Sequence, residues 1–152
     1  MAVEQLEDAL KAYFDRHFYS AIVLAGAAEQ LLAGYVMKHG LTPSFPQMRT
    51  AITKLSQGSE TRDGSGVAQT TEKDVGEQMN RVYNNSKHAG TDDHTIWMNP
   101  KFEAQEIIDR AISNYDAIAW HSKYGLTYLS LVQQFKVEPA DDDVLELDNR
   151  MP

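Results

Sequence analysis

The sequence predicts an all-α fold, an up-and-down bundle of four to five helices. Three observations lead there. Apolar residues recur at three- and four-residue steps through most of the chain. No segment keeps the two-residue alternation of a half-buried strand. Glycine and proline punctuate the periodic stretches at intervals that suit helices. At 152 residues the chain suits one domain, long enough to bury a core without disulfide or metal staples.

Taken in order, Val3 to Arg16 places Val3, Leu6, Ala9, Leu10, Tyr13 and Phe14 on one side and charges on the other. Tyr19 to Lys38 is the strongest helical stretch, with Ala21, Leu24, Ala25, Ala28, Leu31, Leu32 and Tyr35 at helical spacing. Gly40 stops it and Pro43 forbids easy continuation. Gly26 costs helix propensity, and the small residues 25–28 let another helix approach closely. This most apolar helix is expected at the centre. Pro46 to Leu55 forms a shorter helix along which Met48, Ile52 and Leu55 align. Residues 56–71 turn to Gly, Ser, Thr and Asp and read as a mobile polar loop.

A helix over roughly Glu72 to His88 follows, with Gly90 as its stop. After a loop holding Asp92, Asp93, His94 and Trp97, Pro100 opens a long segment to about Phe135. Its stripe is Phe102, Ile107, Ile108, Ala111, Ile112, Tyr115, Ile118 and Ala119, and Gly125 kinks or splits it. The bundle thus occupies residues 1–136. Residues 137–152 form an acidic C-terminal tail, expected to be disordered or loosely docked.

Composition narrows the function classes. The chain has no cysteine, which removes disulfides, thiolate metal sites and cysteine nucleophiles. No run approaches the length of an apolar membrane span, and Glu4, Glu7 and Asp8 replace the basic, apolar opening of an export signal; the expectation is a cytoplasmic protein with no membrane partner. The net charge of −8 argues against loose electrostatic binding of nucleic acid. From Val137 onward, however, six acids face Arg150, a net −5 that leaves only −3 on the preceding 136 residues. A near-neutral body with an acidic tail can still carry a local basic site.

Such a site lies at Arg81 and His88, with Asn84 and Asn85 between them. At about 100° per residue, a seven-residue step returns nearly to its starting direction, displaced by roughly 10 Å. Helical geometry therefore lines up the guanidinium, the amides and the imidazole as one polar strip, with Val75, Met79, Val82 and Ser86 opposite. Histidine titrates near neutral pH and serves as acid or base. Arginine stays charged and forks onto phosphate oxygens. Together these groups can act on a phosphodiester without a metal. One helix offers one histidine, whereas attack by a ribose 2′-hydroxyl needs two proton transfers. A twofold dimer with facing strips supplies both.

The stretch "NRVYNNSKHAG" (Asn80 to Gly90) resembles the signature of HEPN domains, small helical bundles whose motif is Arg, four to six residues, then His. The stretch "DRHFYSAIVLAGAAEQLLAGYVMKHG" (Asp15 to Gly40) is similar to their second helix. The resemblance covers roughly residues 2 to 135. It implies a helical homodimer and, in many members, metal-independent endoribonuclease activity of toxin or defence type. The motif arginine and histidine, here Arg81 and His88, would line a composite cleft shared by both protomers. It also implies an RNA substrate or a nucleotidyltransferase antitoxin as partner, and no cofactor. Two departures stand out: Val82 follows the arginine where the family commonly has a polar residue, and the six-residue separation is the family's upper limit. The alternative is a noncatalytic interaction or regulatory module that binds a protein, a nucleotide or RNA.

Lys87 and Glu29 complete the candidate set as substrate-binding or orienting residues. Glu29 sits beside the apolar stripe of the second helix, and a partly buried carboxylate needs a partner; Arg81 or Lys87 is the expected one. Asp92, Asp93 and His94 read as loop chemistry, with no metal-ligand helix spacing beside them.

Overall fold

The computed structural model describes residues 1–60, 70–87, 99–121 and 130–137, with side chains at all of these except 58–60, 85–87, 120 and 121. The chain is an all-α bundle. Its helices are α1 (Ala2–Phe14), α2 (Phe18–Lys38), α3 (Ser44–Glu60), α4 (Glu72–Lys87), α5 (Pro100–His121) and α6 (Ser130–Val137). Helices α1, α2 and α5 form the centre, α3 and α4 pack as a pair on α2 and α5, and α6 packs on α1.

Helix α1 buries Leu6, Ala9, Leu10 and Tyr13, and its charges remain outside. It ends at Phe14, short of the expected Arg16, because Arg16 adopts φ 62, a left-handed conformation costing an L-residue roughly 1 kcal/mol. The chain reverses there, and His17 N–H donates to the Ala12 carbonyl at 2.8 Å. Helix α2 buries Ala21, Ile22, Ala25, Gly26, Ala28, Glu29, Leu32 and Val36. It stops where expected: Gly40 takes φ 73, and Leu41 N–H donates back to the Val36 carbonyl at 3.2 Å.

A cleft of about 250 Å³, lined by Met1, Ala2, Val3, Leu32, Tyr35 and Ile118, gathers the start of α1 with the ends of α2 and α5. Farther back, Asn114 of α5 meets the Glu29 carbonyl of α2. Helices α2 and α5 therefore run the same way, and α1 runs against both. At the opposite end of α1, the Tyr13 ring meets Phe18 at 5.6 Å and Phe135 of α6 at 5.2 Å between centroids. Lys136 and Asp116, 2.6 Å apart, tie α6 to α5.

Helix α2 is also long and apolar enough to cross a membrane, with a mean hydropathy of 1.4. This differs from the sequence expectation, because Glu29 is the only charged residue between Phe18 and Met37. In the fold its buried residues face α1, α4 and α5.

Two elements differ from their expected form. Helix α3 runs from Ser44 to Glu60, so the first five residues of the expected 56–71 loop are helical. Pro46 sits in its first turn, where a missing N–H costs nothing. Gln57 Nε2 donates to the Thr70 carbonyl at 3.1 Å and holds the far end of α3 to the start of α4. Residues 61–69 lie outside the described ones. The stripe Met48, Ile52, Leu55 is not the core face: Ile52 is 37 % and Leu55 75 % exposed, whereas Thr53 is buried. Thr53 Oγ1 donates to the Arg49 carbonyl of its own helix, which makes that polar burial cheap. On α5, Phe102 is exposed although it continues the apolar stripe, while Ile107, Ile108, Ala111, Ile112, Tyr115 and Ile118 are buried as expected.

Both later helices start on explicit caps. Thr71 Oγ1 accepts from Asp74 N–H, and Thr71 N–H donates to the Asp74 carboxylate at 2.9 Å. Asn99 Oδ1 accepts from the N–H groups of Lys101 and Phe102, with Pro100 at the first helical position. The segment around Gly125 and the acidic tail fall outside the described residues.

The small-residue patch on α2 has a specific occupant. The Tyr83 ring of α4 lies where a Cβ on Gly26 would stand, whereas a Cβ on Gly34 would meet open space. Gly26→Ala is expected to push α4 off α2 and to cost about 1–3 kcal/mol. Gly34→Ala, with only a helix-interior glycine removed, is expected to stabilise by up to about 1 kcal/mol. Thermal melts of the two variants check this pair of opposite signs.

Candidate functional site

The polar strip belongs to α4. Apolar burial orients that helix: Val75, Val82 and Tyr83 are buried against the bundle, and Arg81 and Asn84 are exposed on the other side. Val82, which departs from the family pattern, is thus part of the core face. Met79 is half-buried. The structure brings Arg81 and Asn84 onto one exposed face. The side chains of Asn85 and Lys87, and His88 altogether, lie outside the described residues, as do Asp92, Asp93, His94 and Trp97. Among the described residues no three His, Cys, Asp or Glu side chains gather to hold a metal ion.

Glu29 is buried, 8 % exposed, and the cation acting on it is Arg110 of α5 rather than Arg81. This differs from the Arg81 pairing expected from the sequence; the other expected partner, Lys87, has its side chain outside the described residues. Glu29 follows Ala25 and Ala28 on the face of α2 turned to α5, whereas Arg81 points away from the bundle. Burial pushes the Glu29 carboxyl above the ordinary carboxylate range, and the positive Arg110 pulls it part of the way back. Arg110 is 3 % exposed; burial lowers the pKa of its guanidinium, opposed by Glu29, Glu106 and Glu103 in that order.

Around this pair lies a polar seam. Asn114, 1 % exposed, donates from Nδ2 to the Glu29 carbonyl at 3.4 Å and accepts at Oδ1 from Ser44 N–H at 2.8 Å. Ser44 Oγ donates to the Arg110 carbonyl at 2.9 Å. The next residue of α3, Phe45, lies beneath the Arg110 guanidinium at 5.4 Å and the Arg49 guanidinium at 5.9 Å. Arg49 in turn pairs with Glu72 of α4 at 3.1 Å. The Nε atoms of Arg49 and Arg110 are both buried, with no hydrogen-bond partner among the described residues. Helices α2, α3 and α5 therefore meet at a buried polar cluster, and the more exposed Arg49–Glu72 pair extends it to α4.

Sequence reasoning missed Arg110 and Asn114. Their signal was present: they stand four residues apart inside the stripe of Ile107, Ala111 and Ile118, and polar residues at core spacing mark a buried polar contact. The apolar cleft between the start of α1 and the ends of α2 and α5 is lined by no charged side chain.

Asn114→Ala leaves the Ser44 N–H without its acceptor and is expected to cost about 1–3 kcal/mol in chemical denaturation. For Glu29 the raised folded pKa means the native state binds its proton more readily than the unfolded chain does. The stability this group contributes is complete below the ordinary carboxylate range and is lost as pH rises through the raised folded value. Glu29→Gln stays neutral throughout, so its melting temperature relative to wild type is expected to rise as pH climbs above the ordinary carboxylate range. A difference that stays constant with pH contradicts this.

The chain matches no family model, no curated protein and no solved structure.

Proposed function

We propose that the protein is an HEPN-like, RNA-directed homodimer whose α4 strips face each other in a composite cleft, and that it cleaves RNA without a metal. The observation that carries this reading is the orientation of α4: Val75, Val82 and Tyr83 occupy its buried side, which leaves Arg81 and Asn84 free for a ligand. In this mechanism a ribose 2′-hydroxyl attacks the adjacent phosphorus and the 5′-oxygen leaves. One His88 removes the hydroxyl proton and a second copy of His88 protonates the leaving oxygen. Arg81 neutralises the charge that builds on the non-bridging oxygens. Asn84, Asn85 and Lys87 hold the substrate. The reading carries with it a cytoplasmic location, no cofactor and, for a toxin, a nucleotidyltransferase antitoxin as partner.

The net charge of −8 favours a second reading, a noncatalytic module whose strip binds a protein, a nucleotide or RNA. Incubation with RNAs of varied sequence, with and without chelator, separates the two. The enzyme reading expects metal-independent cleavage that His88→Ala lowers about 100-fold or more. Arg81→Ala is expected to abolish cleavage too while changing stability by no more than about 0.5 kcal/mol, as for exposed sites generally. Wild-type protein that binds RNA but leaves it intact supports the second reading, and protein that does neither removes RNA from both.

A further inference from the structure

The cluster around Arg110 offers its guanidinium two neighbours of different kinds. On the α3 side is the Phe45 ring, 5.4 Å away. On the α2 side is Glu29, buried like Arg110 and joined through its backbone carbonyl to Asn114, one turn along α5 from Arg110; it is also the carboxyl group that acts most on the guanidinium. As the structure stands, Arg110 rests over the ring and its Nε–H has no acceptor among the described residues. An ionised carboxylate on this buried face gains from a hydrogen-bond donor, and the Arg110 Nε–H is a cationic donor without a partner among the described residues. A protonated Glu29 needs no cation and leaves Arg110 on the ring.

We propose that Glu29 is a proton-operated switch: loss of its proton draws the Arg110 guanidinium from Phe45 to the carboxylate, and α3 changes its packing in response. The coupling to α3 is direct, because Phe45 lies under the guanidinium and Ser44 is bonded to the Arg110 carbonyl and to Asn114. It continues to α4 through Glu72, which accepts from Thr50 Oγ1 at 2.9 Å and pairs with Arg49. Helix α4 carries Arg81 and Asn84, so the switch reaches the exposed strip whatever that strip binds.

The other charged groups facing the cluster are few among the described residues. Glu103 and Glu106 of α5 act on Arg110, and the Arg49–Glu72 pair lies beyond Phe45. Tyr83 crosses α2 one turn before Glu29, at Gly26. The charged residues of α1 pair with one another on its outer face. His17 and His39 are exposed at the two ends of α2, about 15 Å or more from Glu29 along the helix.

The test is a nuclear magnetic resonance titration of the full chain between about pH 5 and about pH 8. The signals followed are the Glu29 carboxyl carbon, the Arg110 Nε–H and the Phe45 ring. The expected result is that all three move together with one midpoint, accompanied by shifts in the backbone amides of Phe45–Arg49. Glu29→Gln is expected to hold the Arg110 and Phe45 signals at their acid-limit positions across the range. The proposal is overturned if the carboxyl carbon titrates while the Arg110 and Phe45 signals stay in place. It is equally overturned if Glu29→Gln keeps the wild-type pH dependence, which would assign it to another group. Because the wild-type titration is decisive by itself, a variant that failed to fold would not rescue the idea.

Discussion

A guanidinium, a carboxyl group and an amide sit inside a largely aliphatic and aromatic core, and the positions of α2, α3 and α5 follow from how those groups are satisfied. Asn114 is the joint. Its amide nitrogen bonds to the α2 backbone and its oxygen takes the first N–H of α3, so one side chain sets both the α2–α5 register and the point where α3 begins. A helix start needs acceptors for its unpaired N–H groups. Here one acceptor is donated by another helix rather than by a local cap, and the start of α3 is thereby tied to the tertiary fold. Breaking such a cluster at one member strands the others in a medium of low polarity, which is why buried polar groups carry more structural information than their number suggests.

Close approach is the second constraint. Gly26 allows an aromatic ring of α4 to lie directly on the α2 backbone. With Tyr83 seated there, and with Val75 and Val82 on the same side, the rotation of α4 about its own axis is determined. Arg81 and Asn84 are exposed as a geometric consequence. The candidate RNA face is therefore built from behind, by apolar packing and one missing side chain, rather than by contacts among the polar groups themselves.

Much of this could be read in the chain. The apolar periodicity of α1, α2 and α5, the stop at Gly40 and the outward face of α4 all follow from local rules that depend on neighbours within a few residues. Reading failed where the deciding contact lay far away in sequence. Met48, Ile52 and Leu55 form a regular apolar row, yet α3 turns its Phe45 and Thr53 face to the bundle, with Phe45 under Arg110, Ser44 bonded to Asn114 and Arg49 paired with Glu72 of α4. Periodicity identifies a helix and its faces. It does not say which face a neighbour will prefer when the neighbour itself is polar.

Glu29 shows the division most plainly. Its place beside an apolar stripe announced a carboxylate in need of a partner, and that need follows from solvation alone. Which cation answers it depended on the direction in which α5 passes α2. With the two helices parallel and Asn114 at the Glu29 carbonyl, Arg110 falls beside the carboxyl group and Arg81 faces the other way. The amino-acid order by itself determined the helices, their apolar faces and the requirement for charge compensation, since each is a property of a short stretch of chain in water. The tertiary structure alone decided the partners, because electrostatic attraction and close packing act on distances in space, and those exist only once the helices have been laid side by side.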